Sequence, residues 1–198
     1  FDQLFPGLVQ DMIAGGLPVI RDYAELRFAP GGHLLCLMGR PGQPFICQAA
    51  RPYLEGHVRA RVRRLPAVEI DDRCEIVGLV TTAARDRVTG VRLLHLAADG
   101  AEETLDADLV VDATGRGGRT PAWLATIGYD QPPEEQLTIQ LKYATRHLRL
   151  RPGALGGQKM VSIGAQPDRP TGFVLFAQEQ DRWILTAIGY DGHHPPTD

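Results

Sequence analysis

The stretch Asp108-Leu-Val-Val-Asp-Ala-Thr-Gly-Arg-Gly-Gly-Arg-Thr120 sets a short apolar run against an acid and three glycines. An apolar, largely β-branched run, Leu109–Val111, bounded by a glycine cluster predicts a strand buried on both faces. Gly115, Gly117 and Gly118 admit positive φ and present no Cβ to hold a ligand off. Thr120 as N-cap, Pro121 at the first helical position and Gly128 as a left-handed C-terminal cap predict a helix between them. Strand, glycine turn and helix together gather backbone N–H groups and a helix N-terminus around an anion, and Arg116 and Arg119 add positive charge at the same end. The spacing is not G-x-G-x-x-G, because Thr120 stands at the last glycine position. On turn chemistry alone, a tight strand–helix connection that binds nothing uses the same residues. The reading favoured by the charges is a site for a phosphorylated cofactor.

Along the rest of the chain, Leu4, Leu8, Met12 and Ile13 mark one face of a helix ending near Gly15-Gly16. Tyr23–Phe28 and Leu34–Met38 read as strands around a Pro30-Gly-Gly32 turn, followed by a Pro41–Pro44 loop. Leu54, Val58, Val62 and Leu65 form the apolar stripe of a helix from about Arg51 to Arg64. Its Arg59, Arg61, Arg63 and Arg64 are a solvated face rather than a nucleic-acid surface, since no aromatics interleave. Ala67–Ile70 reads as a short strand. Glu75–Thr82, Val88–Ala97 and Glu102–Leu105 read as a meander turning at Arg85-Asp86-Arg87 and Asp99-Gly100. After Pro132-Pro133, Leu137–Leu148, Met160–Ile163, Thr171–Ala177 and Trp183–Gly189 are strand candidates with no helix between them. This pattern predicts an α/β nucleotide-binding layer with a β excursion, then a second, mostly antiparallel unit.

Composition narrows the function classes. The chain has 198 residues, 43% hydrophobic and 23% charged, with a net charge of −3. That is enough chain for a sizeable core, and the acidic balance argues against broad nucleic-acid binding. No apolar run approaches a membrane span, and no signal peptide opens the sequence. Cys36, Cys47 and Cys74 lack C-x-x-C spacing and read as buried free thiols of a reducing, cytoplasmic compartment. Phe1 at the start, and a stop at His194-Pro-Pro-Thr-Asp198, lead us to expect a segment of a longer protein. The lone serine, Ser162, lacks the glycine-flanked elbow of a hydrolase nucleophile. Gly153–Lys159 fails the phosphate-loop pattern at Gln158. The six histidines are scattered without an H-x-x-x-H pair, so no metal site is expected.

Val110-Val-Asp-Ala-Thr-Gly115 resembles the second cofactor fingerprint of FAD-dependent monooxygenases of the p-hydroxybenzoate hydroxylase type. Arg51-Pro-Tyr-Leu-Glu55 resembles that family's Arg-x-x-Leu-Glu helix, and Cys74-Glu-Ile-Val-Gly78 the strand whose backbone meets the adenine. The resemblance implies a partial FAD/NAD(P)-binding Rossmann-like domain with a β-meander, plus a mostly antiparallel substrate-domain sheet. It assigns residues 1–17 and 45–130 to the flavin domain, and 18–44 and 131–198 to the substrate domain. It implies FAD contacts from Arg51, Ile76, Asp112, Ala113, Thr114, Gly115 and Arg116, but names no catalytic acid or base. The family's G-x-G-x-x-G is expected before Phe1 and its later Gly-Asp motif after Asp198. The implied activity uses NAD(P)H to reduce the flavin, which activates oxygen for transfer to an apolar, often aromatic, small molecule. Phe173, Phe176, Trp183, Tyr143 and Tyr190 are candidates for an apolar pocket, though strand alternation favours core packing for most of them. Thr114 stands where the fingerprint has its second acid, and this Asp-Ala-Thr-Gly form resembles the branch with flavin reductases and halogenases. Neither Trp123 nor Trp183 lies in a halogenase-type Trp-x-Trp. A binding module that kept the scaffold and lost the cofactor is the alternative of another class.

Overall fold

A computed structural model describes residues 3–36, 39, 46–96 and 100–197. In chain order the elements are α1 (Leu8–Ala14), β1 (Val19–Ile20), β2 (Leu26–Ala29), β3 (Ile46–Cys47), α2 (Arg51–Val62), β4 (Cys74–Thr81), β5 (Val88–His95), β6 (Glu102–Asp106), α3 (Thr120–Thr126), β7 (Lys142–Leu148), β8 (Met160–Ile163), β9 (Thr171–Gln178) and β10 (Arg182–Gly189). They form two compact units, one joining segments 1–68 and 138–198, the other running continuously over 69–137.

The discontinuous unit has its core where α1 meets α2. Leu8, Met12 and Leu17 are buried against Tyr53, Leu54 and Val58, and the Tyr53 hydroxyl donates to the Met12 carbonyl at 3.0 Å. α1 thus covers Leu54 and Val58 of the expected α2 stripe, while Leu65 is exposed; Arg61, expected on a solvated face, instead reaches Asp11 of α1 and pairs with it. The main sheet runs β2-β8-β9-β10-β7. β7, β8, β9 and β10 pair antiparallel, as strands without intervening helices predict. β2 joins β8 in the one parallel pairing among the described residues. A half-buried cation stitches the edge: Lys159 Nζ lies 2.6 Å from Glu25 and donates to the Val19 carbonyl at 2.7 Å.

The continuous unit is the expected meander, β4-β5-β6, followed by the glycine loop and α3. Its hairpin turns through Arg85 at φ 58. Gly128, at φ 95, ends the α3 turn as predicted, with the Tyr129 N–H returning to the Leu124 carbonyl at 3.0 Å.

Five local expectations are corrected. Leu109–Val111 is not a strand: Leu109 and Val111 are 79% and 76% exposed, because no described strand pairs with them. Ala67–Ile70 lies outside any strand, and Tyr23–Glu25 is a 3-10 turn in which Asp22 and Glu25 form a capping box. Leu34–Cys36 is exposed and forms no strand, although the Leu35 N–H donates to the Phe28 carbonyl at 2.9 Å, while residues 37–38, the loop from 41 to 44 and residues 97–99 lie outside the described residues. Of the free thiols, Cys36 is exposed and Cys47 and Cys74 are half-buried, so none is fully buried. Among the described residues no helix is long and apolar enough to cross a membrane.

Candidate glycine-loop site

Asp112 organises the loop that opens the continuous unit's glycine turn. Its Oδ1 accepts from the Thr114 backbone N–H at 2.9 Å and from the Thr114 hydroxyl at 2.5 Å, and its Oδ2 accepts from the Thr120 hydroxyl. The Thr114 hydroxyl, the Thr120 hydroxyl and the Thr114 N–H all favour the charged form, and they hold the carboxyl down at about 2 from an ordinary 3.8. Thr120 was expected as the N-cap of α3. It is instead the first helical residue, and its hydroxyl goes to Asp112, leaving Arg119 in the cap position without a side-chain cap.

The carboxylate closes the loop so tightly that residue type follows from space. A Cβ on Gly118 would stand 3.0 Å from Thr114 Oγ1 and 3.1 Å from Asp112 Oδ2. Gly115 sits at φ 72, in the left-handed region that glycine adopts without strain, and both it and Gly117 face open space. The loop therefore has a locked inner side and a vacant outer one. Its two arginines divide in the same way. Arg119 pairs with Glu75 of β4 at 2.7 Å, whereas Arg116 has no ion pair among the described residues. The Arg119–Glu75 pair ties the loop to β4 beside Ile76. Ile76 is exposed on a strand whose outer edge no described strand pairs, and a register shift between Ile76 and Gly78 breaks its ladder to β5.

Asp112, Ala113, Thr114, Gly115 and Arg116 thus share one loop, with Ile76 on the strand tied to it. Arg51 belongs to the other unit. There it is exposed at the start of α2, without a hydrogen bond or ion pair among the described residues, where the helix dipole disfavours a cation that has no anion to hold. The Ala50 N–H beside it is already occupied by Glu179, which is 1% exposed, at 3.1 Å; the other Glu179 oxygen pairs with Arg182 at 2.7 Å. Sequence reasoning missed Thr120, Glu75 and Glu179 in these roles. A threonine eight residues beyond an aspartate is the signal for the first; Glu179 has none, because it lies 129 residues from Ala50.

The expected aromatic pocket is not formed as one surface. The β9–β10 register sets Phe173 opposite Ala187 and Trp183 opposite Ala177, while Phe176 faces Ile184 and Tyr143 faces Ile188. Strand alternation therefore puts Phe173 and Trp183 on one face of the sheet and Phe176 and Tyr143 on the other. Tyr190 follows the end of β10.

No protein-family profile matches the chain. The whole chain aligns at 38% identity, over 208 residues, with Protein Rv3254 of Mycobacterium tuberculosis, and it spans 42% of that protein's length. Among solved structures, PqsL, a probable FAD-dependent monooxygenase from Pseudomonas aeruginosa, superposes with a TM-score of 0.67 at 16% identity, covering 93% of this chain and 46% of PqsL. The flavin-dependent brominase Bmp2 superposes with a TM-score of 0.56 at 15% identity, covering 92% of this chain and 42% of Bmp2.

Proposed function

From a chain that has the fold of an FAD-dependent monooxygenase segment, we propose that it forms part of an FAD-dependent oxidoreductase acting as an NAD(P)H-using monooxygenase on an apolar or aromatic small molecule. The observation that carries this reading is the carboxylate-locked loop at Asp112–Gly118, with its open Gly115 and Gly117 and with Arg116, which has no ion pair among the described residues. Such a loop fits a dinucleotide: backbone approaches closely where no Cβ intervenes, and a cation meets negative charge. Arg51, exposed and unpaired at a helix start, fits a phosphate in the same chemical sense. Ile76 offers backbone on an open strand edge to a heterocycle.

When bound, FAD supplies the redox chemistry and oxygen activation. The chain's own residues bind and orient it. Asp112 and Thr120 fix the loop, Gly115 and Arg116 present N–H groups and charge, and Arg51 holds an anionic group. Asp112 acts first on the loop, through the three hydrogen bonds its oxygens accept. PqsL has been solved in complex with 2-aminobenzoylacetate, which makes small aromatic keto acids the first substrate class to screen.

The test uses the longer protein that contains this chain. It should purify yellow with a flavin spectrum and oxidise NAD(P)H faster when substrate is present. Arg51→Ala should weaken FAD binding by about 10- to 100-fold, the worth of one charge-assisted hydrogen bond. A colourless protein that binds no added FAD refutes the reading.

A further inference from the structure

The hairpin register sets Cys74 directly opposite His95, so both side chains stand on one face where β4 begins and β5 ends. Glu103 of β6 faces Leu93, two residues before His95, and therefore shares that face; its carboxylate lies 2.8 Å from His95 Nε2. A carboxylate in that position holds the proton on Nε2 and leaves Nδ1 as a lone-pair donor. Nδ1 points at Cys74 Sγ, 3.4 Å away. Asp71, three residues before Cys74, completes the group: one ligand atom each from Asp71, Cys74 and His95 lies within 4.8 Å of the others.

These distances suit a metal. With Zn–S near 2.3 Å and Zn–N near 2.0 Å, sulfur and nitrogen in a tetrahedral site stand about 3.5 Å apart. The Cys74–His95 separation already matches that edge. The surrounding charge argues the same way, since Asp71 and Glu103 repel a free thiolate and attract a dication. A cysteine nucleophile activated by His95 would need the opposite field.

We propose that Asp71, Cys74 and His95 bind a zinc-type divalent cation, with Glu103 as the carboxylate that orients His95. Three protein ligands leave the fourth position to water. The thiol proton passes to solvent as the metal–sulfur bond forms. The cation ties the segment before β4 to both strands of the hairpin. This site is independent of the flavin reading.

The experiment uses the chain without a polyhistidine tag, titrated with Co²⁺ alone. A thiolate-to-cobalt charge-transfer band should saturate at one equivalent and be displaced by Zn²⁺. It should vanish in Cys74→Ser and His95→Gln and persist in a Cys36→Ser, Cys47→Ser double variant. Glu103→Gln should weaken zinc binding about 10- to 100-fold in competition with a chromophoric chelator. The proposal is overturned by the absence of a band at one equivalent, by a band that survives Cys74→Ser, or by zinc affinity unchanged in His95→Gln. Where circular dichroism shows either variant unfolded without metal, the exposed Asp71→Asn decides instead: zinc binding weakened about tenfold or more sustains the site, and unchanged affinity removes it.

Discussion

Two carboxylates, one in each unit, solve the same problem in opposite surroundings. Glu179 is buried, receives the Ala50 N–H ahead of α2 and pairs with Arg182. Asp112 is exposed and receives two threonine hydroxyls and a backbone N–H ahead of α3. Glu179 joins parts of the chain 129 residues apart, whereas every partner of Asp112 lies within eight residues. The buried carboxylate therefore holds tertiary structure, and the buried Ala50 N–H it receives has no water to fall back on. The exposed one shapes a loop, and its worth is read in local geometry and ionisation rather than in global stability.

The largest effect that follows from this contrast is at Glu179. Glu179→Ala orphans a buried N–H and removes the partner of Arg182, which should lower stability in a urea melt by about 2–3 kcal/mol. A loss no larger than that of an ordinary surface substitution would erase the distinction between the two sites. Gly115→Ala comes next. Placing a Cβ at φ 72 should cost about 1 kcal/mol, confined to the continuous unit and visible in its amide exchange. The smallest effect is at Asp112 itself. Its carboxyl should titrate near 2 by NMR, and Thr120→Val should move that midpoint up towards 3.8. Because the folded value lies below the unfolded one, the stabilisation is complete above pH 3.8 and fades as the pH falls towards 2. A midpoint of 3.8 in the wild-type chain would show that the three donors do not act on the charge.

Much of this architecture was legible because its determinants are local. The stripe at Leu54, Val58 and Val62 carries its own helical period, and α2 begins at Arg51 as expected. The β8 bounds are the predicted ones, and the meander's three strands differ from expectation by a residue or two at their ends. Within the loop, the glycine positions foretold the tight turn, and Asp112, Thr114, Gly115 and Arg116 do share it. What failed depends on partners. Leu109–Val111 has the composition of a central strand, but a strand exists only with a neighbour to bond. Thr120 has the chemistry of an N-cap, yet the helix begins one residue earlier than that role requires: Thr120 is itself helical, and its hydroxyl donates to Asp112. The Asp71, Cys74 and His95 group escaped a search for H-x-x-x-H or C-x-x-C spacing because cross-strand register, not interval along the chain, assembles it. Glu179 is silent in sequence for the same reason.

The split of the chain also carries a consequence for the order of assembly. Residues 69–137 hold all the strands and the helix of their unit in one continuous run, so their contacts close short loops. The other unit needs β2 to find β8 and Ala50 to find Glu179 across that intervening run. On a ribosome the continuous unit emerges whole while β2 and the Ala50 N–H ahead of α2 still await β8 and Glu179. Folding should therefore start in the middle of the chain and finish when the last hairpin, β9–β10, brings Glu179 to the head of α2, making the buried cap the closing event of a high-contact-order search.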